Sequence, residues 1–196
     1  MYETVIQSLR ALVDFSEEEL FLFMKALKAR SLAKGQHLFQ AGETCSHMWL
    51  IHTGALRYYT VSDSGEQNFW FAFEGEWLGD YGSFLSRTPS RHALQALENT
   101  EAFGLSYSAM QDLYAWAACF ERFGRLIAEN LFLTTERSRQ ELASVSAEQR
   151  YLNLIARHPE IIRRVSQQHI ASYLGIQPQS LSRIRGRLAG STINPG

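Results

Sequence analysis

Residues 167–186 read QQHIASYLGIQPQSLSRIRG, the pattern of two short helices joined by a tight turn. Ala171 supplies the small residue that is needed where two helices cross closely. Gly175 supplies the positive φ that the turn requires. Pro178 is tolerated in the first turn of the second helix, with Gln177 as its cap. The apolar positions that would lock the two helices together are Ile170, Leu174, Ile176, Leu181 and Ile184.

Polar side chains occupy the remaining face of this predicted helix-turn-helix. Arginine pairs with guanine through two hydrogen bonds, glutamine pairs with adenine, and serine reaches bases or phosphates. The N-terminal amides of the first helix are suited to a backbone phosphate. An ordinary helical hairpin with a solvated polar face is the alternative interpretation. The residues predicted to contact DNA are Gln167, Gln168, His169, Gln179, Ser180, Ser182, Arg183 and Arg185.

Charge is distributed unevenly along the 196 residues, although the net charge is only −1. From residue 150 onward there are seven arginines and a single acidic residue, Glu160, so an acidic part precedes a basic one. Such asymmetry favours a nucleic-acid-binding module attached to a second module.

Other features exclude several classes of protein. No apolar run approaches the length of a membrane span, and no export signal opens the chain, so we expect a cytoplasmic location. Cys45 and Cys119 are expected to be free thiols. A jelly-roll metalloenzyme would need a His-x-His pair, which is missing, and no Ser/His/Asp grouping indicates hydrolysis. The sequence therefore predicts no enzyme.

The first part of the chain predicts a β domain with flanking helices. Ser16 and Glu19 form a capping box for an N-terminal helix, and a shorter helix is expected from Val5 to Val13. Between residues 31 and 107, turn signals recur every ~8–12 residues between short apolar segments, which is typical of an antiparallel sandwich or barrel. We assign residues 1–115 to this domain.

A long helix is predicted over residues 120–142, followed by a hinge at 143–146. Apolar residues recur at three- and four-residue steps and form one narrow stripe, which favours a dimer seam; packing on the β domain is the alternative. We assign residues 116–142 to a dimerisation helix and 143–196 to the helix-turn-helix domain. The stripe consists of Phe120, Phe123, Ile127, Leu131 and Thr134.

Several motifs resemble the Crp/Fnr family, and most closely its Bacteroidetes-type branch: EQRY at 148–151, HPE at 158–160, IASYLGI at 170–176 and LSRIR at 181–185. The resemblance implies an α+β fold with an N-terminal antiparallel β-roll, which is a cyclic-nucleotide-binding-like, cupin-like double-stranded β-helix. A long dimerisation helix and a C-terminal helix-turn-helix would follow. It implies a homodimeric transcription regulator that binds an operator and has RNA polymerase as a further possible partner. It also implies that Arg183 pairs with guanine and that Gln179 reads a base.

The resemblance places a ligand cassette at residues 75–93. Asp80 stands where the family has a longer glutamate, and His92 stands where it has a small hydroxyl residue. The effector therefore stays open between a cyclic nucleotide, another small molecule, and a pocket that is filled by its own side chains. A ligand-binding module without DNA-binding activity is the alternative function. The candidate ligand-binding residues are Gly79, Asp80, Tyr81, Ser83, Arg91, His92, Thr134 and Thr135.

The end of the chain differs from the family pattern. Residues 191–196 are too few for the two-stranded wing that usually follows the recognition helix. We therefore expect a helix-turn-helix without a full wing, which would remove contacts to the DNA backbone rather than to bases.

Overall fold

The structure, a computed structural model, describes residues 3–63 and 65–191. It opens with two helices, α1 (Glu3–Arg10) and α2 (Glu17–Ala26). The predicted capping box begins α2, since the Ser16 side chain accepts from the Glu19 N–H and the Glu19 side chain accepts from the Ser16 N–H. Helix α1 ends before the predicted Val13, but Val13 is still buried.

Eight strands follow, and they form two open four-stranded sheets whose pairings are all antiparallel. The first sheet has the order β1-β8-β3-β6, and the second has the order β2-β7-β4-β5. Neither described sheet closes into a barrel, so the predicted β-roll is a sandwich of two sheets. The strands are β1 (Leu27–Leu32), β2 (His37–Phe39), β3 (His47–Thr53), β4 (Leu56–Ser62), β5 (Gly65–Ala72), β6 (Trp77–Leu78), β7 (Ala93–Ala96) and β8 (Thr100–Ser106).

One helix lies between two strands, and two more follow the last strand. The short helix α3 (Tyr81–Ser86), which the sequence analysis missed, lies between β6 and β7. Helix α4 (Tyr107–Trp116) ends at the extended residue Ala117, and α5 (Ala118–Ser144) follows at once. The predicted long helix is confirmed and is two residues longer at each end.

Only the beginning of α5 is buried in the core, so the assignment of Phe120 and Phe123 to a dimer seam is wrong and the alternative, packing on the β domain, holds for these two residues. The Phe120 and Phe123 rings pack on Phe15 and Phe23 of the N-terminal segment. Helix α5 needs a glycine at position 124 because α4 passes close to it: a Cβ on Gly124 would lie 1.7 Å from the Tyr114 hydroxyl oxygen. From residue 129 onward every side chain of α5 is exposed or half-buried. The helix therefore projects beyond the sandwich that anchors it.

The C-terminal part consists of α6 (Ala147–Arg157), α7 (Ile161–Arg164), α8 (Gln167–Leu174) and α9 (Pro178–Ser191). Gly175 ends α8 with φ 66°, as the sequence predicts. The expectation that a full wing is missing rests on residues 191–196, of which 192–196 lie outside the described residues. These helices enclose a second buried core. Its side chains are Tyr151, Leu154, Ile161, Val165, Ile170, Ala171, Leu174, Leu181 and Ile184.

This second core is continuous with the sandwich. Phe71 and Phe73, at the end of β5 and just beyond it, belong to the same buried cluster. The Phe71 ring lies 5.6 Å from the Tyr173 ring of α8, and the Phe73 ring lies 5.0 Å from the His158 ring. The helix-turn-helix thus packs directly on the second sheet. Within the described residues, no helix has the length and apolarity to cross a membrane.

Candidate nucleic-acid interface and ligand cassette

Helix α9 carries buried apolar residues on one side and exposed polar residues on the other. Leu181 is completely buried and Ile184 is 6% exposed, so these two side chains fix the helix against α8. Gln179, Ser182 and Arg183 are exposed. Their exposure leaves the predicted base-reading groups accessible on a surface that the core holds in place.

The first helix of the motif begins as predicted. The Ser166 hydroxyl accepts a hydrogen bond from the His169 N–H at 3.2 Å, and Gln167 and Gln168 are exposed. The Gly175 N–H closes the turn by donating to the Ser172 carbonyl oxygen at 3.1 Å. The N-terminus of α8 and the outer face of α9 therefore offer amide and side-chain donors for a phosphate backbone and for base edges.

The arginines of the basic region divide into two groups. Four of them bind other parts of the protein: Arg150 donates to two backbone carbonyl oxygens, and three others pair with glutamates. Arg163 and Arg183 are exposed, and Ser180 and Arg185 are half-buried. The charge count of the sequence thus overstates the positive charge that is available to a nucleic acid. The three arginines paired with glutamates are Arg157, Arg164 and Arg187.

His169 does not lie on the same surface as the other predicted DNA-contacting residues. Its Nδ1 lies 3.2 Å from an Arg57 guanidinium nitrogen of β4. On the same helix the Ser172 hydroxyl donates to the Glu66 carbonyl oxygen at 2.6 Å and accepts from the Asn68 N–H at 3.0 Å. Burial lowers the pKa of His169, and the positive charge of Arg57 lowers it further. Helix α8 is thus docked on β5, a contact that the sequence analysis missed.

Arg57 is the charged group beneath this contact. It is only 3% exposed, and its guanidinium binds the Glu66 carboxylate at 2.5 and 3.1 Å and the Gln95 side-chain oxygen at 2.7 Å. The guanidinium also lies 3.8 Å from the centre of the Tyr59 ring. Its hydrogen bond holds the pKa of Glu66 below the usual value. An arginine within the apolar strand β4 was the only sequence signal of this polar interface.

A second ionic contact joins α7 to the sandwich. The Arg164 guanidinium donates to both Glu74 carboxylate oxygens at 2.8 Å and to Glu98 at 2.5 and 3.2 Å. It also lies 4.9 Å from the centre of the Phe73 ring. Burial raises the pKa of Glu74, but the hydrogen bonds outweigh burial, and the pKa is lowered overall. The C-terminal helices are therefore attached to the β sandwich by polar contacts at two places, Arg57 and Arg164.

The cassette is built around the Asp80 carboxylate. Asp80 caps α3 by accepting from the Ser83 N–H at 3.0 Å, and it also accepts from the Ser90 hydroxyl at 2.5 Å. His92 Nδ1 lies 3.4 Å from the same carboxylate. The hydrogen bond to His92 is the largest cause of a strongly lowered pKa at Asp80, and those to Ser83 and Ser90 add to it. The structure therefore brings together Asp80, Ser83 and His92, three of the candidate ligand residues.

Aromatic rings cover the His92 side of the cassette. The His92 ring lies 4.6 Å from the Tyr58 ring and 5.2 Å from the Phe69 ring, which meets it edge-on. Burial is the main cause of a raised pKa at Tyr58. The Asp80 carboxylate, the Ser90 hydroxyl and the His92 ring are thus satisfied by one another. These residues fit a cyclic nucleotide poorly, because the carboxylate that would bind a ribose hydroxyl is already engaged.

The remaining candidate ligand residues lie elsewhere. The Arg91 side chain is exposed, and its carbonyl oxygen accepts from the Thr60 hydroxyl at 2.8 Å. The Tyr81 ring stacks on Phe84 and lines an apolar cleft beside α4 and α5. A Cβ on Gly79 would come within 2.7 Å of the Met48 sulfur.

The two threonines lie on α5, where Thr134 is half-buried and the Thr135 hydroxyl donates to the Leu131 carbonyl oxygen. The described residues contain no group of three potential metal ligands.

Comparison with known proteins agrees with this architecture. Residues 29–115 match the cyclic nucleotide-binding domain family. The transcriptional activator FnrA of Stutzerimonas stutzeri is 26% identical over 169 residues, which are 80% of this chain and 68% of that protein. The fumarate and nitrate reduction regulatory protein of Vibrio cholerae is 25% identical over 179 residues, 85% of this chain and 70% of that protein. Together these matches support a transcription regulator of Crp/Fnr type with a cyclic nucleotide-binding-like domain.

Solved structures share the fold of this protein. FixK2 from Bradyrhizobium japonicum aligns with a TM-score of 0.74 at 19% identity, covering 87% of this chain and 89% of that one. The c-di-GMP-responsive regulator CLP from Xanthomonas campestris aligns with a TM-score of 0.68 at 17% identity, covering 91% and 94%. At these identities the likeness establishes the fold of the chain alone.

Proposed function

We propose that this protein is a cytoplasmic, homodimeric transcription regulator that binds a specific DNA operator through α9. The observation that carries the proposal is the two-sided character of α9. Leu181 and Ile184 anchor the helix in the core, while Gln179, Ser182 and Arg183 are exposed to solvent. Rigid placement of donors that read base edges is what sequence-specific recognition in the major groove requires.

The dimer is proposed from the exposed part of α5. Leu131, Phe132 and Leu133 are 39%, 65% and 53% exposed, and Leu142 is 59% exposed. A run of large apolar side chains on a projecting helix loses contact with water when a second copy of the helix packs against it. Two copies would then present two recognition helices to a pseudo-palindromic operator, about one DNA turn apart.

Operator binding is tested by selecting sequences from a random DNA pool and then measuring affinity at one fixed salt concentration. Arg183→Ala is expected to lower operator affinity by about 1–3 kcal/mol, which is roughly 5- to 150-fold, and to relax preference at one base position. Arg10→Ala, an exposed arginine on α1, is the matched control and should leave affinity unchanged. Equal affinities for the two variants would refute the assignment of Arg183, and the absence of any selected sequence would favour a ligand-binding module without DNA-binding activity.

The effector is proposed to be a small molecule other than cyclic AMP. The engaged Asp80 carboxylate and the His92 ring in place of a small hydroxyl residue support this proposal. Isothermal titration with cyclic AMP should therefore give no binding heat at micromolar protein. Mass spectrometry of the purified protein under native conditions would identify a bound molecule. Saturable binding of cyclic AMP that is lost in Arg91→Ala would overturn the proposal.

A further inference from the structure

Strand β5 contains a bulge between the cassette and the reader, which is the helix-turn-helix formed by α8 and α9. In its antiparallel pairing with β4, Tyr58 lies opposite Trp70 and Tyr59 lies opposite Asn68, so that Phe69 is an extra residue on β5. A bulge redirects the side chains next to it and interrupts the ladder. At this point consecutive residues of one strand contact two different functional parts of the molecule.

Phe69 contacts the cassette. Its ring lies 5.2 Å from the His92 ring at an interplanar angle of 89°, and 6.3 Å from the Tyr58 ring. His92 is in turn bonded to Asp80, the residue that caps α3. Phe69 is nevertheless 42% exposed, so its ring has room to move when its partners move.

Asn68 contacts the reader. It is 1% exposed, its N–H donates to the Ser172 hydroxyl at 3.0 Å, and its side-chain amide donates to the His169 carbonyl oxygen at 3.4 Å. The neighbouring Gln67 side chain donates to the Ser172 carbonyl oxygen. The Asn68 side-chain oxygen is buried and has no hydrogen-bond partner. This arrangement therefore leaves one buried acceptor unsatisfied at the contact with α8.

We infer that the bulge at Asn68 and Phe69 couples the cassette to α8, so that movement of the His92 ring changes how firmly the reader is docked on the sensor. The inference rests on the proposed function, since it assigns the regulation of the reader to this cassette. A ligand that displaces His92 would act through Phe69 on the backbone of Asn68, and from there on the two hydrogen bonds to Ser172. Such a ligand shifts the docking equilibrium because it interacts differently with the two positions of the strand.

Amide hydrogen exchange of residues 167–174 in the full chain tests the coupling without a ligand. His92→Ala removes the ring that Phe69 contacts, and it is expected to accelerate exchange in these residues by about threefold or more. Phe69→Ala should have a similar effect, and the double variant should add nothing further. His52→Ala, which alters a half-buried histidine on the other sheet, is the matched control and should leave exchange in α8 unchanged.

Two results would overturn the coupling. One is unchanged exchange in residues 167–174 when His92 is replaced, and the other is simple additivity of the two single effects. Phe69→Leu, a change at a partly exposed site, repeats the test in case either alanine variant fails to fold. Because the exchange measurement needs no DNA, failure of operator binding would not affect it, and failure of the coupling would leave the DNA-binding proposal intact.

Discussion

The substitution Arg164→Met tests the contact of Arg164 with Glu74 and Glu98 of the β sandwich. Methionine keeps much of the packing on the Phe73 ring and removes hydrogen bonds to two carboxylates. Hydrogen bonds between charged groups stabilise a contact more than bonds between neutral groups do. Water weakens these particular pairs, however, because the Glu74 and Glu98 side chains are 41% and 36% exposed. We expect the docked state to lose about 1–2 kcal/mol, roughly a 5- to 30-fold change in the docking equilibrium.

The assay is amide hydrogen exchange over residues 161–174, combined with urea unfolding. Arg164→Met should accelerate exchange in α7 and α8 by that factor, while the strands of the first sheet keep the wild-type rates. Arg163→Met is the matched control, because the preceding arginine is exposed. A higher salt concentration should reduce the difference in exchange rate between the two variants, because salt screens partly exposed ion pairs. Equal exchange in the two variants would refute the view that this ionic contact fixes the reader.

Three further predictions concern the core, the interface and one close approach. Leu181→Ala, at a completely buried position, should lower the free energy of unfolding by about 2–5 kcal/mol in urea titrations; an effect no larger than that of Leu152→Ala, at a site 37% exposed, would contradict the packing. Burial holds the pKa of His169 below 6.5, so protonation favours the undocked state. The protection of α8 against exchange, corrected for the intrinsic exchange rate at each pH, should therefore be constant above that pH and fall as the pH drops below it. His169→Gln should flatten this dependence, and an unchanged profile would exclude His169 as its source. Gly104→Ala should lower the free energy of unfolding by about 1–3 kcal/mol, because the new Cβ would lie 2.7 Å from a tryptophan ring. Gly186→Ala should raise it, because a Cβ there meets open space and alanine favours the helix. Changes of the same sign for both variants in urea unfolding would be inconsistent with the structure.

The helix-turn-helix could be predicted from the sequence because its requirements involve residues that are close together in the chain. Gly175, Ala171 and the apolar positions of the motif act within twenty residues of chain, so that each requirement can be checked against its neighbours. The long helix was predictable for the same reason, because nothing between residues 120 and 142 interrupts it. The cassette was located only by the resemblance to a known family, since no local rule singles out Asp80 or His92.

The cassette's internal bonding was not visible in the sequence. That Asp80 is held by Ser90 and His92 depends on the path of the chain between β6 and β7, where the unpredicted helix α3 lies. The arginine count was similarly incomplete, since Arg164 carries the same charge whether it faces DNA or two glutamates. A side chain's type defines which partners it could bind, and only the fold defines which one is within reach.

The sequence by itself determined the helix-turn-helix, the long helix that precedes it and the strand-rich domain before both, because periodicity and turn chemistry are local properties of the chain. Only the tertiary structure decided that α8 rests on β5, with His169 beside Arg57 and Ser172 bonded to Asn68. These partners are separated by more than a hundred residues, and each is an ordinary polar residue in its own segment. Their meeting follows from how two cores pack together, which is a property of the whole chain.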